Sequence, residues 1–347
     1  MAMHAALATS SAPWALALKK RAAQAAVEVP IPCEELLLTD ERVLVPVLAG
    51  IAPAMWGGLR RLNRGVRETL SESLIKAALS RMPLLRVTEN LCKQLEALVD
   101  GATAVLPAGK HRWSGKLRYC RRLRIYGMPG TKITGRVQLA KDSSGTFSDI
   151  EFSSGDGGSV RIQDAIWSLE RCSIQCMDPD ASGVTSVSSR VTLQRCSINC
   201  EHQVKSCWVG VLAKGSSAAT VEACNIGPHV MRGAVAIDEA ELVINGSCIN
   251  GCEEIGLRLN GCARVSAKSS EFEGAGAALQ VGPSSAECGK LDMENCRMAS
   301  FEMLWGGSYR PSKLRMENID TSSVGENLDA EGDWADAHQD AVAEKKM

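Results

Sequence analysis

The sequence predicts a mainly β chain folded as a solenoid, and two observations carry that prediction. A phrase of the form apolar-x-apolar-x-x-(Cys/Ser/Ile)-x-apolar recurs along the chain, and its sixth position steps by 22 to 28 residues. A three-residue apolar alternation, which is typical of strands, precedes most copies. A near-constant period in this range indicates a solenoid, and several short strands per turn predict a parallel β-helix. Residues at the same place in successive turns then stack about 4.8 Å apart.

The recurring phrase divides its residues between an inner and an outer face. Its sixth position gives a column that we expect to face inward: Ile150, Cys172, Cys196, Cys224, Ser247, Ser270, Cys296 and Ile319. Two sets of residues are expected to face outward. On the strand formed by the three-residue alternation they are Gln138, Arg161, Gly210, Ala236, Arg258 and Gln280. On the strand formed by the recurring phrase they are Ser168, Thr192, Val243, Ser266, Asp292 and Arg315. No two acids are neighbours on either face, so the sequence predicts no paired catalytic carboxylates there.

Composition and the N-terminal sequence indicate the cellular location of the chain and its general classes of partner. The net charge is −1 and charged residues make up 23%, so no overall attraction to nucleic acid or to a membrane is expected. The chain has 14 cysteines, and we expect reduced thiols because the first residues lack the pattern of a secretory signal. No apolar run has the length of a membrane span. These features predict a cytoplasmic or nuclear protein.

Three pairs of cysteines have a spacing that zinc sites tolerate: Cys172 and Cys176, Cys196 and Cys200, and Cys248 and Cys252. Strand alternation points the first two pairs together into the apolar core, where free cysteine packs as a small hydrophobic residue. We therefore predict stacked, buried thiols, with no metal and no cofactor.

The N-terminal part of the chain divides into two segments. Residues 1–29 are Ala-rich and basic, and we predict a disordered leader, with an organelle transit peptide as the alternative. Residues 30–85 lack strand alternation, and their apolar residues fall at helical spacing. This spacing predicts a small helical domain ahead of the solenoid.

The helical domain resembles an F-box. The resemblance rests on Pro32-Cys-Glu-Glu-Leu36, on Val43-Leu44-Val-Pro-Val47-Leu48, and on Leu59-Arg-Arg-Leu62-Asn-Arg-Gly-Val-Arg67. It implies docking on a Skp-type adaptor through these residues: Leu36, Leu44, Leu48, Leu59 and Leu62. The alternative is a helical cap or an unrelated small helical domain.

The segment that follows resembles the start of a pectate-lyase-like right-handed β-helix. A short helix holding Leu91, Leu95 and Leu98, capped by Thr88, precedes Asp100-Gly-Ala-Thr-Ala-Val-Leu106 and then Leu123-Arg-Ile125. Such a helix covers the open end of a parallel sheet, where backbone groups are otherwise unpaired. The resemblance implies a right-handed β-helix over residues 86–323, with an acidic tail at 324–347.

Charge is distributed unevenly along the predicted solenoid. From Gly101 to Lys141 there is no acid, and basic residues lie beside Trp113, Tyr119 and Tyr126. We take this stretch as the candidate binding surface, with a solvated first coil as the alternative. The basic residues of that surface are Lys110, Arg112, Lys116, Arg118, Arg121, Arg122 and Arg124.

One acidic ridge also follows from the repeat. Glu294 and Glu317 fall at the same place in adjacent turns, and Lys268 interrupts the ridge one turn earlier. We interpret the ridge as a solvated corner of mixed charge rather than a catalytic pair.

The sequence leaves three functions open. The first is a non-catalytic protein-interaction protein. Its resemblance to F-box proteins that carry such a solenoid implies a substrate-recognition subunit of an SCF-type cullin-RING ubiquitin ligase. Its partners would be a Skp-type adaptor and a substrate protein, with no nucleic acid. The second function is a carbohydrate-active enzyme, either a polysaccharide lyase or a hydrolase. The third is a β-helix scaffold without a ubiquitin link. The missing acid pair favours a protein that is not an enzyme.

Overall fold

The computed structural model describes Leu85 and residues 90–154, 158–199, 206–282, 288–306 and 309–325. The predicted leader at 1–29, nearly all of the helical segment at 30–85, Cys200 and residues 326–347 of the tail lie outside this range. Within it, the chain forms a parallel solenoid in which each strand pairs with the equivalent strand of the next turn. Among the described residues, no helix is both long enough and apolar enough to cross a membrane.

A short helix, α1 (Leu91–Glu96), lies at the start of the solenoid. Its N-cap is Asn90, whose side chain accepts a hydrogen bond from the Lys93 N–H, so the sequence-based assignment of Thr88 was wrong. Asparagine is a strong N-cap because its side-chain oxygen satisfies a backbone donor that the first helical turn leaves free. Leu91 and Leu95 are buried in the apolar core, so the helix packs on the first turns as predicted.

The strands form three parallel sheets around a common core. The first sheet has ten strands: β1 (Thr103–Leu106), β3 (Leu123–Gly127), β6 (Ser144–Ser148), β9 (Ile166–Glu170), β12 (Arg190–Gln194), β15 (Ala218–Glu222), β18 (Glu241–Asn245), β20 (Arg264–Lys268), β23 (Lys290–Glu294) and β26 (Lys313–Glu317).

The second and third sheets share one long strand, β19 (Cys248–Leu259), which passes through the corner between them. The second sheet also contains β2 (Gly109–Arg112), β4 (Thr131–Thr134), β7 (Glu151–Ser154), β10 (Ser173–Cys176), β13 (Ser197–Ile198), β16 (Asn225–Ile226), β21 (Glu271–Gly274), β24 (Arg297–Ala299) and β27 (Asp320–Ser323). The third sheet also contains β5 (Val137–Leu139), β8 (Val160–Gln163), β11 (Ser182–Val187), β14 (Cys207–Lys214), β17 (Val230–Ile237), β22 (Ala277–Val281) and β25 (Met303–Gly306).

The first sheet confirms the recurring phrase and its register. Trp167 of β9 lies beside Val191 of β12, and Leu169 lies beside Leu193. The outward column runs through every residue predicted for this sheet and adds Thr220, which the sequence analysis did not include. The side chains that flank these outward positions are buried from β9 to β23, so the alternation of inner and outer faces is correct there, whereas Leu314 of β26 is exposed.

A left-handed residue turns the chain from the first sheet to the second. Residues with φ between 47° and 59° hold this position in successive turns: Asp149, Arg171, Arg195, Ala223, Gly246, Ser269, Asn295 and Asn318. Each precedes a member of the inward Cys/Ser/Ile column, and that column is buried except for the half-buried Ile319. The corner therefore has the same geometry in each of these turns, although its sequence differs.

The third sheet corrects part of the predicted register. Val160 of β8 pairs with Val184 of β11, and Val184 pairs with Val211 of β14. Gly210 and Ala236 were predicted to face outward, and both are buried. The outward column instead runs through these residues: Gln138, Arg161, Thr185, Leu212, Val235, Arg258 and Gln280. Like the predicted column, it contains no acid.

Close packing at the corner before the third sheet explains the error at Gly210. A Cβ atom on Gly210 would lie 2.4 Å from Ile226 Cγ2, and one on Gly233 would lie 2.2 Å from Ile249 Cγ2. The inward isoleucines fill this corner, so the chain needs glycine there. Gly210 is therefore a corner residue, and the apolar alternation of this turn begins one residue later, at Val211.

Two cysteines also depart from the expectation of reduced thiols. Cys262 and Cys288 form a disulfide, with their Cα atoms 4.8 Å apart. That separation lies within the range that a disulfide bridges. The other ten cysteines of the described residues are free, and nine of those ten are buried.

Replacing Gly233 by alanine tests the tight corner. Gly233→Ala is expected to lower the free energy of unfolding by about 3 kcal/mol, because overpacking forces neighbouring side chains and backbone to move. The matched control is Gly246→Ala, where a Cβ atom would meet no heavy atom within 4 Å. That change should cost only about 1 kcal/mol for its left-handed backbone.

Alanine is known to fit the control position, because Ala223 holds the same corner one turn earlier, with φ 51°. Urea unfolding of the two variants makes the comparison, and an equal loss would contradict the packing argument.

Candidate functional site: a basic pocket on the outer face

The predicted basic surface is divided among several faces of the solenoid. Lys110 and Arg112 are exposed on β2 in the second sheet. Arg124 is exposed on β3 in the first sheet. Arg121 and Arg122 lie at the corner before β3, where their backbone N–H groups donate to Asp100 Oδ1 at 3.0 Å and to Ser144 Oγ at 2.9 Å. These five residues do not form one surface.

The other two predicted residues line a pocket on the outer face of the third sheet. This pocket has a volume of about 480 Å³, within the range of small-ligand sites. Its charged lining residues are Lys116, Arg118, Arg136, Lys141, Arg161 and Asp164. We call this site the basic pocket, since five of these six residues are cations.

Three successive turns build the basic pocket. In the first turn Leu117 forms a parallel bridge with Leu139 of β5, which turns its neighbours Lys116 and Arg118 outward. In the second turn Arg136 and Lys141 flank β5 on either side. Arg161 lies on β8 in the third turn, beside the equivalent residue of β5. The pocket therefore follows from strand alternation at the first turns of the third sheet.

The cations of the basic pocket have no carboxylate partner within the described residues. No ion pair there involves any of the five. Elsewhere on the solenoid arginines are paired: Arg171 Nε lies 2.8 Å from Asp149 Oδ1, and Arg297 Nη1 lies 2.8 Å from Glu271 Oε1. The pocket thus concentrates positive charge that no carboxylate of the described residues pairs.

One aromatic residue lies at the rim of the pocket. Tyr119 is 65% exposed and has a left-handed backbone, with φ 59°. Trp113 is buried instead, with its ring centroid 6.4 Å from that of Phe147. Tyr126 is half-buried. Of the three aromatics beside the basic stretch, only Tyr119 is both well exposed and part of the pocket lining.

The sequence analysis missed three of the five pocket cations. Arg136 and Lys141 lie in the acid-free stretch but were not selected, and Arg161 lies beyond it. Arg161 could have been found from the pairing of successive turns, because it stacks on Gln138 in the outward column. Residues that are distant in sequence meet on one face when they hold equivalent places in successive turns.

The acidic ridge is neutralised by neighbouring cations. Glu294 and Glu317 lie side by side in β23 and β26. Lys268 Nζ lies 2.8 Å from Glu294 Oε2, and Arg315 Nη2 lies 2.7 Å from Glu317 Oε2. The hydrogen bond to Glu294 raises the pKa of Lys268. Both carboxylates are therefore held as ion pairs, as the interpretation of a mixed-charge corner predicts.

The inward column carries a ladder of hydrogen bonds between turns. The Cys196 N–H donates to Cys224 Sγ at 3.4 Å, and the Cys224 N–H donates to Ser247 Oγ at 3.1 Å. Each side chain also donates to a carbonyl oxygen of the preceding turn, as Cys196 does to Leu169 at 3.2 Å. Cysteine holds this position in some turns and serine in others, because both fit the corner and both can donate a hydrogen bond.

The predicted cysteine pairs form no metal site in the part of the chain that the structure describes. Cys172, Cys176 and Cys252 are buried, and Cys248 is half-buried. The side chain of Cys207 hydrogen-bonds that of Cys176 and so lowers the pKa of Cys176, while the same bond raises the pKa of Cys207. Cys176 and Cys207 are both buried, so they form a pair of thiols inside the core.

Replacing Cys196 by serine is expected to make stability less sensitive to alkaline pH. A hydrogen bond with the Cys172 side chain, together with burial, raises the pKa of Cys196 from 9.0 to about 12. Within that window the unfolded thiol has lost its proton and the folded thiol keeps it, so stability falls as the pH rises. Each such thiol contributes up to about 1.4 kcal/mol per pH unit to that fall.

Urea unfolding on either side of pH 9.0 measures this dependence. Cys196→Ser retains the column geometry, since serine already holds the equivalent place at Ser247 and Ser270, but removes the titrating group. Thr192→Ala, on the outer face, is the control and should keep the wild-type slope. If Cys196→Ser also keeps that slope, the assignment of the thiol's pKa is wrong.

Comparison with known proteins supports the fold. Residues 136–298 match the family model described as "Right handed beta helix region". The solenoid is a right-handed parallel β-helix. This result confirms the predicted β-helix and its handedness, while nearly all of the predicted N-terminal helical domain lies outside the described residues. The solved structure of a pectate lyase, Pel9A, is similar over 70% of this chain and 77% of its own, at 11% sequence identity and a TM-score of 0.48. A comparison with curated proteins gave no match.

Proposed function

We propose that this protein is a non-catalytic interaction protein that holds a partner on the outer surface of its β-helix. The observation that carries this proposal is the basic pocket, whose five cations lack carboxylate partners among the described residues. Such a pocket attracts an acidic surface, and its lining holds a single carboxylate, Asp164, so it has no paired acids. The outward columns of the first and third sheets also lack neighbouring acids.

The second part of the proposal concerns the helical segment at 30–85, which lies outside the described residues. Its resemblance to an F-box supports a role as substrate-recognition subunit of an SCF-type cullin-RING ubiquitin ligase. On this proposal the helical segment binds a Skp-type adaptor and the β-helix selects the substrate. A cytoplasmic or nuclear location would follow from that role.

Co-purification with a Skp-type adaptor tests the ubiquitin link. The full-length protein is expected to retain the adaptor, and Leu59→Asp combined with Leu62→Asp is expected to release it by placing charge on an apolar docking face. The control is Val99→Asp, since Val99 is 77% exposed at the start of the β-helix. Absence of adaptor from the wild-type complex would leave a β-helix scaffold without a ubiquitin link.

Turnover assays test the proposal that the protein is not an enzyme. Incubation with polygalacturonate is expected to yield no unsaturated product and no new reducing ends. The reason is that Glu294 and Glu317, the adjacent acids of the ridge, are both ion-paired. Measurable turnover would favour the carbohydrate-active alternative. In that case loss of activity in Glu294→Gln and Glu317→Gln would show that the ridge is catalytic.

A further inference from the structure

The basic pocket is a regular array of side chains on a parallel sheet. Lys116, Gln138 and Arg161 form one outward column through three turns, since Leu117 pairs with Leu139 and Gln138 pairs with Arg161. Within one strand, residues two apart that face the same way are separated by about 6.6 Å, and successive turns are separated by about 4.8 Å. The cations are therefore spaced by the backbone rather than gathered around one point.

The spacing matches an extended polypeptide. A peptide in the β conformation also turns every second side chain to one face, at the same separation of about 6.6 Å. Acids at alternate positions would then meet Lys116 and Arg118 in the first turn, or Arg136 in the second. Arginine suits this contact because its planar guanidinium group binds a carboxylate through two parallel hydrogen bonds.

The uncharged lining residues fit the same ligand. Gln138 and Gln163 line the pocket between the cations and carry amide groups that can bind a peptide backbone. Tyr119 is exposed at the rim and offers an apolar ring to a neighbouring side chain. Asp164 is the one acid, and it lies in the third turn, so the positive potential is strongest toward the first two turns.

We propose that the basic pocket binds an extended, acidic segment of a protein partner, with Asp or Glu at alternate positions. This inference rests on the proposed function for the protein nature of the partner. Beyond the proposed function, it specifies the binding site, the sequence pattern of the bound segment and the conformation of that segment. The five cations have no carboxylate partner among the residues that the structure describes, and the acidic segment would supply one.

The test uses the full-length protein and a fluorescein-labelled peptide of alternating Glu and Ser. Fluorescence anisotropy is expected to show binding that weakens as salt concentration rises, since exposed charges are screened. A peptide with the same composition but all of its Glu in one block should bind more weakly, because adjacent acids point to opposite faces of an extended chain. Equal affinity for the two peptides would overturn the proposed pattern.

Matched charge variants locate the site. Lys116→Gln combined with Arg118→Gln removes the two cations that alternate acids would meet in one turn, and it is expected to weaken binding of the alternating peptide by about tenfold, as loss of two charge-assisted contacts would. Arg190→Gln combined with Arg264→Gln removes the same charge from exposed positions on the first sheet and should leave the affinity unchanged. Thermal unfolding of both double variants checks that the fold is retained. Equal weakening by both pairs would show general attraction to positive charge and overturn the assigned site.

Other anions serve as competitors. Inositol hexakisphosphate and a single-stranded oligonucleotide of the same net charge as the peptide are expected to compete weakly, because their charges lack its spacing. Tighter binding of either, weakened by the Lys116→Gln and Arg118→Gln pair, would replace the peptide with a phosphate ligand. Failure of every probe to bind would reject the pocket as a site but leave adaptor co-purification untouched, so the two proposals fail separately.

Discussion

Each turn of this protein must place its backbone groups directly over those of the next turn. Parallel pairing runs through every turn, and the left-handed corner before the Cys/Ser column keeps it in register. Left-handed backbone costs about 1–2 kcal/mol for a residue other than glycine, yet Arg171, Arg195 and Ser269 adopt it. The ladder through Cys196, Cys224 and Ser247 helps to offset that cost, because its hydrogen bonds form only when successive corners coincide.

This constraint fixes the inner face and leaves the outer face free to vary. Inward positions hold apolar side chains that range from alanine to tryptophan, or a thiol or hydroxyl that donates to a carbonyl oxygen. Outward positions contact neither the core nor the corner, so they can change from Gln138 to Arg161 to Leu212 within one column. A binding site can therefore arise on any face without altering the turns beneath it. We propose that the basic pocket, which lies where the third sheet begins, is such a site.

The sequence predicted the first sheet well because its phrase is strongly apolar in every turn. The third sheet was harder, since Ser182–Val187 has serine, glycine and threonine where other turns have aliphatic residues. Glycine at Gly210 resembled an outward residue, although it fills a corner where no Cβ atom fits. The pocket was only partly predicted, because Arg161 joins Lys116 through register and not through nearness in sequence. Cys262 and Cys288 hold equivalent places before β20 and β23, so register brings them together, while their oxidation was not expected from the sequence.

The charge of the basic pocket has an energetic cost. Its five cations line one cavity and repel one another, although Gln138 separates Lys116 from Arg161 in the outward column. Elsewhere on the solenoid cations are paired with carboxylates, as where Arg232 Nη2 lies 3.0 Å from Glu254 Oε2. No such pair involves Arg118, Arg136 or Arg161 within the described residues. Each turn of a solenoid contacts mainly its neighbours, so the repulsion falls on the first three turns. An acidic ligand would relieve it there, and binding and local stability would then be linked.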